Sequence, residues 1–379
     1  MTAVGERPHV YVGDVGTHGR APLHNNLRLP PFVALVVALL LGWGTLAVSA
    51  VALGGALPSS GTVTFERLDH GYLDLYALDI DRGTLHNLTD SPLNDESGAW
   101  SPDHRRLAFV SLRDGERHLY LLTLGESGGS RRLTYGRIAL GGKPAWSPDG
   151  RYIAYEVEYR GGIDLYLIEV EAAIQPNVNP RALTDSATDS RYPVWSPDGS
   201  RLAFVSWGAG NAEIFTVRMD TMEFANLTQH PDWDFSPAWS PDGTQIAFYS
   251  DRTQMRELYL MDADGGSVRL LTTDARRQNA IFASTPVWSP DGREIAYLVA
   301  YDANAEIVVI DIETGERRRL TRNYALDTRL VWLPDGSGMI FMSDRGGYWG
   351  VYQMDAAGEN THHLATFAAD RGTLSLWNR

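Results

Sequence analysis

The feature that most constrains this chain is a hexapeptide that recurs six times: AWSPDH at Ala99, AWSPDG at Ala145, VWSPDG at Val194, AWSPDG at Ala238, VWSPDG at Val287 and VWLPDG at Val331. The tryptophans (Trp100, Trp146, Trp195, Trp239, Trp288 and Trp332) are 44 to 49 residues apart. A period of about 40–50 residues with strand-like subsegments denotes a propeller, in which each repeat is one small sheet that buries its faces against its neighbours.

Spacing inside the unit is stricter than the period. Nine residues after each tryptophan stands an aromatic: Phe109, Tyr155, Phe204, Phe248, Tyr297 or Phe341. Twenty residues after it stands Tyr120, Tyr166, Phe215, Tyr259, Val308 or Tyr352. Each unit closes near a Leu-Thr pair, as at Leu133-Thr134 and Leu183-Thr184; the last has Leu364-Ala365. Constant offsets predict four short strands in fixed register, with the aromatics filling the wedge between neighbouring sheets. In Ser-Pro-Asp-Gly, proline presets φ at the first corner and glycine takes the left-handed position, giving a tight hairpin between strands one and two.

These residues resemble the WD40-like repeat of TolB and of prolyl-oligopeptidase-type propellers. The W-S-P-D-G-x-x-[IL]-A-[FY] pattern covers residues 62–379. It is specific for the repeat and far less so for a function, because propellers host many. The resemblance implies an all-β fold and a binding platform outside the cytoplasm. It departs from TolB in one respect: an apolar segment abuts the first strand, leaving no room for the globular domain that precedes the TolB propeller. A place in the Tol–Pal system is therefore not expected.

The number of blades follows from the ends. Thr373-Leu374-Ser375-Leu376-Trp377 falls in step, 45 residues after Trp332, but nothing follows it. Phe65, Tyr76 and Leu88-Thr89 fit the later offsets of a unit whose first strand is missing. The expectation is a seven-bladed β-propeller closed by the C-terminal strand, with a six-bladed ring as the alternative. Closure removes a sheet edge that would otherwise invite aggregation.

From Phe32 to Leu57 the chain carries 26 uncharged residues. At about 1.5 Å per residue, such a helix exceeds the roughly 30 Å hydrocarbon core of a bilayer. The reading is a cytoplasmic tail over 1–31, a transmembrane signal anchor over 32–57 and a propeller outside over 62–379. Orientation follows Arg20 and Arg28 ahead of the span. The rival is a cleaved signal peptide ending at Val48-Ser49-Ala50, which gives a secreted or periplasmic protein.

Composition excludes several chemistries. With no cysteine, disulfides, thiolate metal sites and cysteine nucleophiles are absent. A formal net charge of −14 repels phosphate backbones, so no nucleic-acid partner is expected. Lys143 is the one lysine among 33 basic residues. Gly125-Glu126-Ser127-Gly128-Gly129 fits the nucleophile-elbow pattern but lies where a hairpin turn is due. Asp79-Ile80-Asp81 and Asp262-Ala263-Asp264-Gly265 lack the ligand spacing of a calcium loop. His362 and His363 are adjacent on a strand and point to opposite faces. No catalytic residue, metal or cofactor is assigned.

Candidate binding residues lie on the loops joining consecutive blades and on the turns between strands two and three, where rigid scaffolds usually carry function. The joining loop from Thr272 to Trp288 is the longest and holds Arg276, Arg277, Gln278, Asn279 and Phe282. Its neighbours supply Arg191 and Tyr192; Asp232, Trp233, Asp234 and Phe235; and Asp327 and Arg329. Aromatic and arginine side chains are favoured anchors in interfaces. The functional expectation is a noncatalytic, membrane-anchored scaffold with an unidentified protein partner. The alternatives are a glycan or small-ligand sensor, and a metal-dependent lyase resembling oligogalacturonate lyases.

Overall fold

The computed structural model describes residues 47–49, 61–80, 82–125, 129–135, 138–139, 142–159, 161–173, 180–185, 188–273, 284–301, 304–366 and 375–376. They form seven antiparallel sheets arranged as the blades of a propeller. In blade 2 the strands are Asp95–Trp100, Arg106–Ser111, His118–Thr123 and Ser130–Arg132, running from the inner edge outward. Blades 3 to 7 repeat this order, with tryptophan closing each inner strand. Blade 1 contributes Thr62–Asp69, Tyr72–Asp79 and Thr84–Asn87.

The offsets of nine and twenty now have a cause. The two residues face one another across strands two and three, as in Phe109↔Tyr120, Phe204↔Phe215 and Phe341↔Tyr352. Ring centroids in these three pairs lie 5.9 Å apart, within the range of favourable aromatic contact. Blade 1 has the same pair in Phe65↔Tyr76. Each of the seven apolar clusters draws on two adjacent blades; one joins Phe65 and Tyr76 of blade 1 to Ile340 and Val351 of blade 7 and so closes the ring.

The tryptophans stitch blade to blade. The indole Nε1 of Trp146 donates to Ala99 O (2.9 Å), that of Trp195 to Ala145 O (3.0 Å) and that of Trp288 to Ala238 O (3.0 Å), each acceptor lying in the preceding blade. Trp239 and Trp332 do the same with Val194 and Val287. The Leu-Thr closure has its own logic. Thr89, Thr184 and Thr272 donate to Asp74, Asp164 and Glu257 at the start of strand three and accept the next backbone N–H. Blade 7 lacks both partners, with Ala365 for the threonine and Gly350 for the acid.

Ring closure differs from the expectation in one way. Ser375–Leu376 does pair with the strand that carries Phe65, while Trp377 lies outside the described residues. The repeat would place Leu376 opposite Thr64; it lies instead opposite Phe65. The tryptophan's register place, opposite Val63, is held by Val48. Ala47–Ser49 is thus a strand, where a helix over 32–57 was expected. Thr62–Thr64 has no inner strand from its own blade, and an extended segment within reach completes the ladder along that edge. The rest of 32–57, and the tail 1–31, lie outside the described residues. No helix among the described residues is long and apolar enough to cross a membrane.

Candidate functional site

The two ends of the propeller differ in chemistry. One end carries the Ser-Pro-Asp-Gly hairpins, each closed on itself. Ser147, Ser196, Ser240 and Ser289 donate to Asp149, Asp198, Asp242 and Asp291 at 2.5–2.6 Å. These hydroxyls hold Asp198, Asp242 and Asp291 below the usual carboxylate range, so this end is an anionic rim of satisfied turns. Gly199 and Gly243 take φ of 71° there, and His104 adopts 56° in the one hairpin without glycine.

The joining-loop end is aromatic. Among the described residues, exposed large apolar side chains number eleven, and eight sit here: Tyr135, Tyr192, Trp233 and Tyr324 ahead of or at the start of inner strands, with Tyr72, Tyr159, Met255 and Tyr348 at the turns between strands two and three. The other three, Phe224, Val268 and Leu270, lie on or beside outermost strands. Trp233 is 54% exposed and Tyr324 fully so. Sequence reading named only Tyr192 and Trp233 of this set. The missed residues had a signal, since Tyr72 and Tyr348 each follow a glycine in a strand-two-to-three turn, and Tyr135 directly follows a closing threonine.

The anticipated residues divide. Trp233 and Asp232 are exposed, Tyr192 is 47% exposed and Arg191 is half-buried against Asp189 at 3.0 Å. Phe235 packs on Tyr249 and lies beneath the Arg256 guanidinium, 4.1 Å from its ring centroid. Asp234 and Asp327 are fully buried and face inward, which corrects their placement on the binding surface. Each pairs within its blade, Asp234 with Arg252 at 2.9 Å and Asp327 with Arg345 at 2.8 Å, and Asp95 repeats the pair with Arg113. The arginine also bonds a serine (Ser250, Ser343 or Ser111) and covers the paired aromatics of strands two and three. A buried carboxylate needs such a partner, and the repeat supplies it. Arg276, Arg277, Gln278, Asn279 and Phe282 lie outside the described residues.

A second group converges on the axis. Three residues before the tryptophan the inner strand bulges, and Ser97, Tyr192, Ser236 and Arg329 take φ between 48° and 63°. Lys143 and Thr285 hold the same position in blades 3 and 6. Ten residues after the tryptophan most blades carry an apolar side chain, but blade 3 has Glu156 and blade 1 has the corresponding Glu66. Each accepts the bulge N–H of the following blade, Glu66 from Ser97 and Glu156 from Tyr192, both at 2.8 Å. Gly142 passes so near that an added Cβ would meet Glu156 Cβ at 3.0 Å, which brings Lys143 close to that strand. Burial, with Arg329 adding to it, pushes the Lys143 ammonium down to about 7. Burial also lifts Glu156 to about 7 and lowers Arg329 to about 10.

The seven sheets, the indole stitches and the Ser-Asp hairpins define a β-propeller of WD40-like repeats. The profile of the TolB β-propeller domain matches residues 143–284 and 277–375, more than half of the chain. The chain belongs to that family. A TolB homolog of Chlorobium luteolum is 28% identical over 152 residues, covering 40% of this chain and 33% of the relative. The matched stretches span less than half the length of the curated relatives. Among solved structures, a Mycobacterium tuberculosis puromycin-hydrolyzing peptidase superposes with a TM-score of 0.65 at 17% identity, covering 87% of this chain and 55% of that one. An oligogalacturonate lyase of Vibrio parahaemolyticus gives 0.60 at 19% identity, covering 87% and 88%. Likeness at that identity establishes the fold alone.

Proposed function

We propose that this protein is a noncatalytic binding platform that receives a protein partner on its joining-loop face. The observation that carries the reading is the concentration of exposed aromatic rings at one end, opposite an end closed by satisfied anionic turns. Tyrosine and tryptophan combine large contact area with a polar tip, and they are the side chains that anchor interfaces. A relative named as a Tol-Pal system protein, TolB of Alcanivorax borkumensis, is 31% identical over 100 residues and supports a protein-binding role. Photo-crosslinking from position 233 or 324 in native membranes should trap a defined protein, and crosslinkers placed on the Ser-Pro-Asp-Gly end should not. Equal trapping from both ends refutes the reading.

The apolar residues of the 32–57 run that lie ahead of the strand Ala47–Ser49 attach the propeller to the membrane in this proposal, with residues 1–31 inside and the propeller outside. Their lack of charge and the arginines ahead of them support that reading. A reporter fused after Arg379 should behave as exported, and the purified chain should retain its first residues. An N-terminus near Val51 would show cleavage instead.

A further inference from the structure

The axial group has a composition that the blade fold does not require. Of the six tryptophan-minus-three positions, four carry hydroxyls (Ser97, Tyr192, Ser236 and Thr285) and two carry cations (Lys143 and Arg329). None is apolar, although packing alone is indifferent to donors. Lys143 belongs to blade 3 and Arg329 to blade 7. Blades 1 and 2 separate them on one side and blades 4 to 6 on the other, so the two cations act on one another only across the channel. Glu66 of blade 1 acts on both. Every other cation of the chain is an arginine. Lysine differs in offering a compact point charge that can give up its proton when desolvated.

We propose that this ring of donors is a binding site for a small monocarboxylate, held between the Lys143 ammonium and the Arg329 guanidinium. A planar guanidinium matches a carboxylate through two parallel hydrogen bonds, and an ammonium opposite it adds a third. The two glutamates decide the class of anion. Each has one oxygen fixed on a backbone N–H, so both stay beside the cations. A dianion such as phosphate would set its second charge against Glu66, whereas a monoanion avoids that repulsion. The same glutamates can accept from a hydroxyl or ammonium next to the carboxylate, which favours hydroxy acids and amino acids. The site is axial and independent of Trp233 and Tyr324, and it shares Tyr192 with the proposed partner surface.

The single lysine makes the test direct. The full chain would be acetylated with a water-soluble succinimidyl ester, and the modification of Lys143 followed by peptide mass spectrometry. The chain's own α-amine serves as internal standard. Millimolar lactate should slow acetylation of Lys143 several-fold and leave the α-amine unaffected, while inorganic phosphate should slow neither. Arg329→Gln should abolish the protection. Unchanged labelling with lactate, or equal protection by phosphate, overturns the proposal. A thermal-shift measurement covers a reagent that never reaches Lys143 and a variant that folds poorly. Lactate or glycine should raise the melting temperature of the unmodified chain and phosphate should not; absence of any shift with either carboxylate counts against the site.

Discussion

Thr64 shows how one residue is fitted to its blade. At the corresponding position blades 2 to 6 carry alanine and blade 7 isoleucine. Blade 1 alone has a hydroxyl there, and Trp100 Nε1 donates to it at 2.6 Å in place of the usual carbonyl. Thr64→Val keeps the shape and removes the acceptor of a buried indole, and chemical denaturation should show a loss of about 2 kcal/mol. Arg252→Ala strands the buried Asp234 carboxylate and should destabilise by about 3 kcal/mol or more in the same measurement. Lys143 has the opposite sign. Its folded value of about 7 lies below the ordinary 10.5, so the unfolded chain takes up the proton first as pH falls. Lys143→Met should therefore raise the melting temperature, fully below about pH 7 and progressively less toward 10.5. A uniform effect across that window would show that desolvation of the amine is not the cause.

At the scale of elements, the edge of Thr62–Asp69 is the weak point of the ring. It is shared between Ala47–Ser49 and Ser375–Leu376, two short segments from opposite ends of the chain. Everywhere else the inner strand belongs to its own blade and carries its tryptophan. Deleting residues 373–379 should lower the melting temperature and promote aggregation, because part of an eight-residue strand loses its inner neighbour. Light scattering during a thermal ramp reads both effects. Unchanged melting and scattering would mean that the N-terminal segment alone secures the closure.

For the molecule as a whole, the asymmetry between ends sets where a partner is expected. Trp233→Ala combined with Tyr324→Ala should weaken capture of the crosslinked partner by about tenfold or more, as loss of aromatic anchors usually does. Both rings are exposed, so the melting temperature should hold within a degree or two. A collapse of stability with capture unchanged would show that the rings brace the loops instead.

Much of this was legible in the residues themselves. Strand order, hairpin chemistry and blade number all follow from local rules repeated at fixed offsets, because a strand pair in register sets residues nine and twenty opposite one another wherever the repeat occurs. Joining loops were likewise legible as the end that carries the candidate binding residues. What periodicity could not convey was direction and distance across the ring. Asp234 reads like Asp232 in the sequence, yet its place on the inner strand opposite Ser250 and the Arg252 pair bury it. Lys143, Arg329, Glu66 and Glu156 come from blades 1, 3 and 7, and only closure of the propeller brings them to one axis. The occupant of the last edge was equally a tertiary matter. Register against Val63 depends on which extended segment reaches it in space, and there Val48 stands where the repeat alone would have set Trp377.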